Sequence, residues 1–212
     1  MNSPTTTVGL VLAGGASRRM GRDKATLPFG AETMLARVVR TVASAVNDVV
    51  VVARPGQAAP TGVTVVFDND AFQGPLAALV RGMEGVPADV YFVAVCDQPL
   101  LVAELIPYLF ARIGTAMAAV PVVDARLVPT CAVYRRGVLE SAKALLASGE
   151  RRLGALTEHV DSVRVLESEL RTIDPDLRSF LPCNTPEEYQ RLLALAGLRA
   201  NQSVDHTEPR TQ

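Results

Sequence analysis

A three-layer α/β sandwich with a mainly parallel sheet is the fold this sequence predicts. Three observations predict it. Apolar runs of strand length alternate with segments of helical spacing. The first run, Val8 to Leu12, stops at the glycine pair Gly14-Gly15, and a later run, Val90 to Val95, stops just before Asp97. Residues able to do chemistry therefore stand at strand ends, and in such sheets ligands bind beyond the carboxyl ends of the strands, where the strand order reverses.

Each element has its own signal. Thr33 to Ala45 carries apolar residues at helical spacing, through Met34, Val38, Val42 and Ala45. Asp48 to Ala53 holds four consecutive valines, the pattern of a strand buried on both faces. Val63 to Phe67 reads as another strand, and Leu76 to Met83 as a helix opening near Gly74-Pro75, with proline in the first turn. After Val90 to Val95, the sequence predicts a helix over about Ala103 to Arg112 and strands over Ala116 to Val120 and Thr130 to Tyr134. A helix over Gly137 to Ala147 follows, ended by Gly149. Asn184-Thr185-Pro186-Glu187-Glu188 reads as a helix start: threonine cap, proline next, acidic first turn. With no repeat and no low-complexity linker, a single domain is expected over 7–198, between polar tails at 1–6 and 199–212 that are expected to be disordered.

Bulk properties exclude several classes. The 212 residues, 49% apolar and 20% charged, suffice for one buried core. A net charge of -1 argues against a general nucleic-acid binder and against a polybasic membrane anchor. Cys96, Cys131 and Cys183 form no CxxC pair, which fits a reducing compartment. Arg18 and Arg19 follow the first apolar run rather than precede it, the wrong order for a signal peptide, and no run is long enough to span a bilayer. A cytoplasmic location is expected. His159 and His206 read as exposed bystanders, so no histidine chemistry is assigned.

The richest segment runs from Leu12 to Lys24. Gly14 and Gly15 allow a backbone with φ > 0 and close approach of a ligand, and successive amides in such a loop form an anion nest. Ser17 adds a hydroxyl; Arg18, Arg19, Arg22 and Lys24 add cations. Backbone donors, guanidinium forks and a point charge are what a triphosphate requires. Neither a P-loop nor a G-x-G-x-x-G string is present. A turn followed by a solvated basic stretch would use the same residue types, and that reading stands beside the functional one.

Asp97, at the end of a buried strand, suits Mg²⁺, which takes one or two carboxylates together with phosphate oxygens and water. It could equally cap a helix opening near Pro99. Asp68, Asn69 and Asp70 end the Val63 to Phe67 strand and could form no more than an Asx-type turn.

Leu12-Ala13-Gly14-Gly15-Ala16-Ser17-Arg18-Arg19-Met20-Gly21-Arg22-Asp23-Lys24 resembles the signature loop of molybdenum cofactor guanylyltransferases. The likeness extends over about residues 8 to 196, through Cys96-Asp97-Gln98-Pro99, Gly74-Pro75-Leu76, Ser148 to Leu153 and Asn184 to Glu188. It implies a Rossmann-like nucleotidyltransferase fold and an enzyme that transfers GMP from GTP to molybdopterin, releasing pyrophosphate. By position, Leu12, Ala13 and Gly14 would contact base and sugar; Gly15, Ser17 and Arg19 would hold phosphates, with Arg18 also binding the nucleotide; Lys24 would stabilise charge at the α-phosphate. Asp97 would bind magnesium with Asn184 within reach, Asp68 would lie near guanine or ribose, and Gly74 would let the chain pass close to the nucleotide. Arg151 and Arg152 would anchor the pterin phosphate, although a charged helix cap explains them as well.

The implied substrates are GTP and molybdopterin. The implied partners are molybdenum-cofactor proteins or client molybdoenzymes, with no nucleic acid and no membrane. Two features qualify the likeness. Gln98 also occurs in the sister cytidylyltransferases, and Arg54-Pro55 stands where the family often carries Asn. Leu12-Ala13-Gly14-Gly15, against the sister family's L-A-A-G, favours guanine. A cytidylyltransferase for the same pterin, or a non-catalytic nucleotide-binding protein that delivers the cofactor, are the alternative readings.

Overall fold

The structure, a computed structural model, describes residues 5–14, 23–68 and 74–198. Its centre is a parallel unit. Strand β1 (Thr7–Leu12) is flanked by β4 (Asp48–Ala53) on one side and β6 (Val90–Val95) on the other, and β5 (Thr64–Phe67) pairs beyond β4. Between β1 and β4 come a short hairpin, β2 (Pro28–Phe29) with β3 (Glu32–Thr33), and helix α1 (Met34–Ala43). Helix α2 (Gly74–Gly85) joins β5 to β6. The chain thus leaves β1 in one direction to build β4 and β5, then crosses back to build β6, which puts the reversal of strand order between β1 and β6.

Past β6 the sheet continues through α3 (Leu105–Arg112), β7 (Ala118–Val123), β8 (Arg126–Leu127) and β9 (Ala132–Arg135). Helices α4 (Leu139–Ala147) and α5 (Leu153–His159), strand β10 (Ser162–Val165), α6 (Glu167–Leu170) and α7 (Pro186–Leu195) complete it. The spatial order is β10-β7-β9-β6-β1-β4-β5, with β8 paired to β7. Strand β9 runs antiparallel to both β6 and β7, so the sheet is mostly but not wholly parallel. The expected α/β sandwich is therefore the fold observed.

Period-two alternation distributes the strands between two cores. Val11, Val49 and Val51 face α1 and α3. Leu10, Leu12, Val50 and Val52 face α2, α4 and α5. The valine run of β4 is fully buried for this reason, since both sides of it are core. Gly9 on β1 is demanded by packing: a Cβ there would lie 2.1 Å from the Val42 side chain, so only glycine lets α1 sit this close to the central strand. Thr33 starts α1 by accepting a hydrogen bond from the Ala36 amide at 3.1 Å. Gly149 ends α4 at φ +94°, with the Glu150 and Gly149 amides donating to the Leu145 and Leu146 carbonyls.

The differences from expectation have local causes. Strand β7 starts at Ala118 and runs on through Pro121 to Val123. Proline reads as a strand breaker, yet β9 pairs with β7 only at Ala118 and Ala119, so no bond to β9 is forfeited at Pro121. The strands β2, β3, β8 and β10 and the helices α5 and α6 are too short to show a period in sequence. Thr6, assigned from sequence to the N-terminal tail, is bonded instead: its amide and hydroxyl donate to the Asp89 carboxylate at 2.7 and 2.9 Å. Residues 1–4 and 199–212, with His206, lie outside the described residues. Among the described residues no helix is long and apolar enough to cross a membrane.

Candidate active site

The carboxyl ends of β5, β4, β1 and β6 lie side by side along one edge of the sheet. Asp68, Arg54, Gly14 and Asp97 follow these strands at that edge. The register is direct: Leu12 pairs with Val95, the Cys96 amide donates to the Leu12 carbonyl at 3.2 Å, and the Ala13 amide donates to Val52 at 2.9 Å. The segment leading to Gly14 and the one carrying Asp97 therefore share one edge and one switch point.

Lys24 comes to the same place from the far side of the glycine-arginine segment. It opens a 3₁₀ turn, Lys24–Thr26, whose cap is Asp23: the Asp23 carboxylate accepts from the Ala25 amide at 3.1 Å. The Lys24 Nζ lies 3.2 Å from Asp97 Oδ2 and 2.7 Å from Asn184 Oδ1. Residues 24, 97 and 184 thus converge from distant parts of the chain. Asn184 is pinned twice. The Cys183 amide donates to the Asp97 carbonyl at 2.8 Å, and the Glu188 carboxylate, which completes the capping box of α7 with Thr185, accepts from the Asn184 amide at 2.5 Å. Asp97 caps no helix: it sits in a turn, and α3 begins only at Leu105.

The electrostatics of this edge rest on a few charges. Lys24 and Asp97 form a half-buried ion pair with side-chain exposures of 15% and 27%. Burial, with Asp97 next in importance, pushes the Cys96 thiol far above its usual range; burial likewise raises Cys183 to about 11. Neither sulfur is available as a thiolate nucleophile at neutral pH. Among the described residues no three His, Cys, Asp or Glu side chains cluster to hold a metal. The donor set at Asp97 is one carboxylate with an amide oxygen nearby. That set suits Mg²⁺, which binds hard oxygens and draws most of its ligands from phosphates and water.

Several sequence expectations change here. Gly14 does not adopt φ > 0, and an added Cβ would make only ordinary contact with Arg54 Cγ at 3.6 Å. Among the described residues nothing therefore requires glycine at this position. Gly74 does sit at φ +85°, but the near neighbour is the protein itself: a Cβ there would lie 2.7 Å from the Arg151 carbonyl oxygen, which also accepts from the Leu76 amide at 3.3 Å.

Arg151 donates to the carbonyls of Leu146 and Glu150. Arg152 is forked onto the Glu150 carboxylate at 2.8 and 3.2 Å and lowers its pKa to about 2. Glu150 stands before α5 rather than in its first turn, so both arginines have structural duties at the α4–α5 junction. Gly15, Ser17, Arg18, Arg19 and Arg22, like Asn69 and Asp70, lie outside the described residues.

One group escaped the sequence reading. Gln57 follows β4 through the turn Arg54-Pro55-Gly56-Gln57, closed by a Gln57 amide to Arg54 carbonyl bond of 3.1 Å, with Gly56 at φ +79°. Proline then glycine at the two centre positions is the type II pattern. The available signal was this dipeptide directly after a strand at the functional edge.

A doubly wound sheet with Gly14, Lys24 and Asp97 at its switch-point edge defines the class: an α/β protein of nucleotidyltransferase architecture. Residues 9–163 match the model of the MobA-like NTP transferase domain, and the chain belongs to that family. A probable molybdenum cofactor guanylyltransferase of Mycobacterium tuberculosis H37Rv is 38% identical over 172 residues, 78% of this chain and 86% of the relative. Among solved structures, molybdopterin-guanine dinucleotide biosynthesis protein A from Archaeoglobus fulgidus superposes with a TM-score of 0.78 at 21% identity, covering 90% of this chain and 98% of that one. A Mycobacterium tuberculosis H37Rv protein solved with manganese superposes at 0.60 with 18% identity, covering 90% and 99%.

Proposed function

We propose that this protein transfers GMP from GTP to the terminal phosphate of molybdopterin, in the cytoplasm, forming the guanine dinucleotide cofactor and releasing pyrophosphate. An oxygen of the pterin phosphate attacks the α-phosphorus of GTP, and the bond from that phosphorus to the oxygen bridging to the β-phosphate breaks. The nucleophile is already anionic, so the site needs no strong base. It needs alignment and charge neutralisation. The single observation that carries this reading is the meeting of Lys24 Nζ with Asp97 and Asn184 at the sheet edge beside Gly14.

Within this reading Lys24 stabilises charge gathering at the α-phosphate, with Arg19 as its expected companion. The backbone of Leu12, Ala13 and Gly14 contacts base and sugar; Gly15, Ser17 and Arg19 hold phosphates, with Arg18 also at the nucleotide. Asp68, at the end of β5, is the candidate for guanine or ribose, and Gly74 for close passage of the chain beside the nucleotide. Asp97 would hold Mg²⁺ with Asn184 near it, and the ion when bound would neutralise phosphate charge and orient the departing pyrophosphate. The fold relative solved with manganese supports a divalent ion in this fold. Arg151 and Arg152 would take the pterin phosphate only by exchanging their present partners. Molybdenum-cofactor proteins or client molybdoenzymes are the proposed partners.

Pyrophosphate release with molybdopterin and GTP, CTP or ATP in Mg²⁺ buffer tests the proposal. GTP-dependent release is expected. CTP-selective release would establish the cytidylyl alternative, and binding without release with any nucleotide would establish a delivery protein. Gly14→Ala is expected to leave the melting temperature unchanged, because among the described residues the added methyl meets no atom closer than 3.6 Å. The same methyl would stand where the ligand approaches, so GTP affinity by calorimetry should fall about tenfold or more.

A further inference from the structure

Gln57 ties together the two chain segments on either side of the glycine-arginine span. Its Nε2 donates to the Ala13 carbonyl at 3.0 Å and to the Asp23 carboxylate at 2.9 and 3.2 Å. Its Oε1 accepts from the Arg54 amide at 3.2 Å. Both N–H donors and the carbonyl of this amide are therefore employed, and the Arg54 amide, a donor, fixes which end is oxygen. The type II turn at Pro55-Gly56 carries the side chain back over the sheet edge to reach them.

We propose that Gln57 is a positioning residue for the transfer: it fixes Asp23 against the end of β1, and through Asp23 the turn that presents Lys24 to Asp97 and Asn184. The inference rests on the guanylyl-transfer reading above. Each link is a contact in the structure. Gln57 holds Asp23; Asp23 caps Lys24–Thr26 through the Ala25 amide; Lys24 reaches Asp97 and Asn184. Arg54 adds a weaker tie to Asp23 at 3.5 Å. Glutamine suits this task because Asp23 and Ala13 both offer oxygens, so the clasp must be a double donor without negative charge. Gln57 touches no reacting atom; it acts through Lys24.

Gln57→Ala and Gln57→Glu separate positioning from packing. Glutamate has nearly the volume of glutamine but sets a second carboxylate against Asp23. We expect kcat to fall about tenfold in Gln57→Ala and further in Gln57→Glu, with KM for molybdopterin unchanged. Gln57→Ala in an Asp23→Ala background should cost no additional activity, since the link it breaks is already gone. Independently of substrate, hydrogen exchange at Ala25 should accelerate about tenfold in Gln57→Ala, while β1 and β4 amides stay protected. Wild-type kcat in Gln57→Ala, a Gln57→Glu variant as active as wild type, full additivity with Asp23→Ala, or unchanged exchange at Ala25 would each overturn the clasp. If wild-type protein transfers no nucleotide, the guanylyl-transfer reading fails, and the exchange measurement still decides whether Gln57 holds the Lys24 turn.

Discussion

Asp97→Ala should lower kcat for nucleotidyl transfer by about 10²–10³-fold or more, the scale seen when a group that neutralises transition-state charge is removed. The fold should survive. What Asp97 gives the protein is mainly its backbone carbonyl, which accepts from Cys183 at 2.8 Å, and alanine keeps that carbonyl. The side chain contributes one ion pair, with exposures of 15% and 27%, and such a pair is worth about 1 kcal/mol. Its loss should move the melting temperature by no more than about 4 °C in a chain of this size. Asp97→Asn sharpens the test: the amide keeps the shape yet lacks the charge to hold a cation, so activity should stay low and the Mg²⁺ concentration for half-maximal rate should rise. Pyrophosphate release across an Mg²⁺ titration reads both effects. Turnover within tenfold of wild type in Asp97→Ala would remove this carboxylate from the mechanism.

Lys24→Ala is expected to cost a similar factor, about 10²–10³-fold in kcat, with a smaller change in KM for GTP. One nitrogen here serves two acceptors from different parts of the chain, Asp97 Oδ2 at 3.2 Å and Asn184 Oδ1 at 2.7 Å. A compact ammonium can do this. A planar guanidinium spreads its donors over a fork and presents them elsewhere. Lys24→Arg should therefore recover less than a tenth of wild-type activity despite keeping the charge. Full activity in Lys24→Arg would mean that charge alone suffices and that the geometry around Asn184 is incidental. Steady-state kinetics of the two variants beside wild type, with melting curves, distinguish these outcomes.

Much of the architecture was legible because its signals are local. The valine run of β4 and the alternation of strand and helix are read from neighbours a few residues apart. The α7 cap at Thr185, with proline after it and Glu188 completing the box, was equally plain. The short elements β2, β3, β8 and β10 left no trace, since two to four residues carry no period and become strands only by pairing.

The site divides the same way. Asp97 stood out as a carboxylate at a strand end, and Lys24 as a cation in the basic segment after β1. Residue type did not show that Glu150 and nearby carbonyls engage Arg151 and Arg152. Gly74 stood out as a glycine, but only the packing shows the Arg151 carbonyl lying where its Cβ would be.

By itself the sequence determined the α/β class, the strand-end placement of Gly14 and Asp97, and a family likeness that the comparisons with known proteins bore out. Only the tertiary structure decided that residues 24, 97 and 184 meet at one nitrogen, and that Gln57 joins Ala13 to Asp23. The physical reason is separation along the chain. Periodicity and capping act within a turn or two, whereas contacts across 73 and 160 residues depend on which strands lie side by side and in what register.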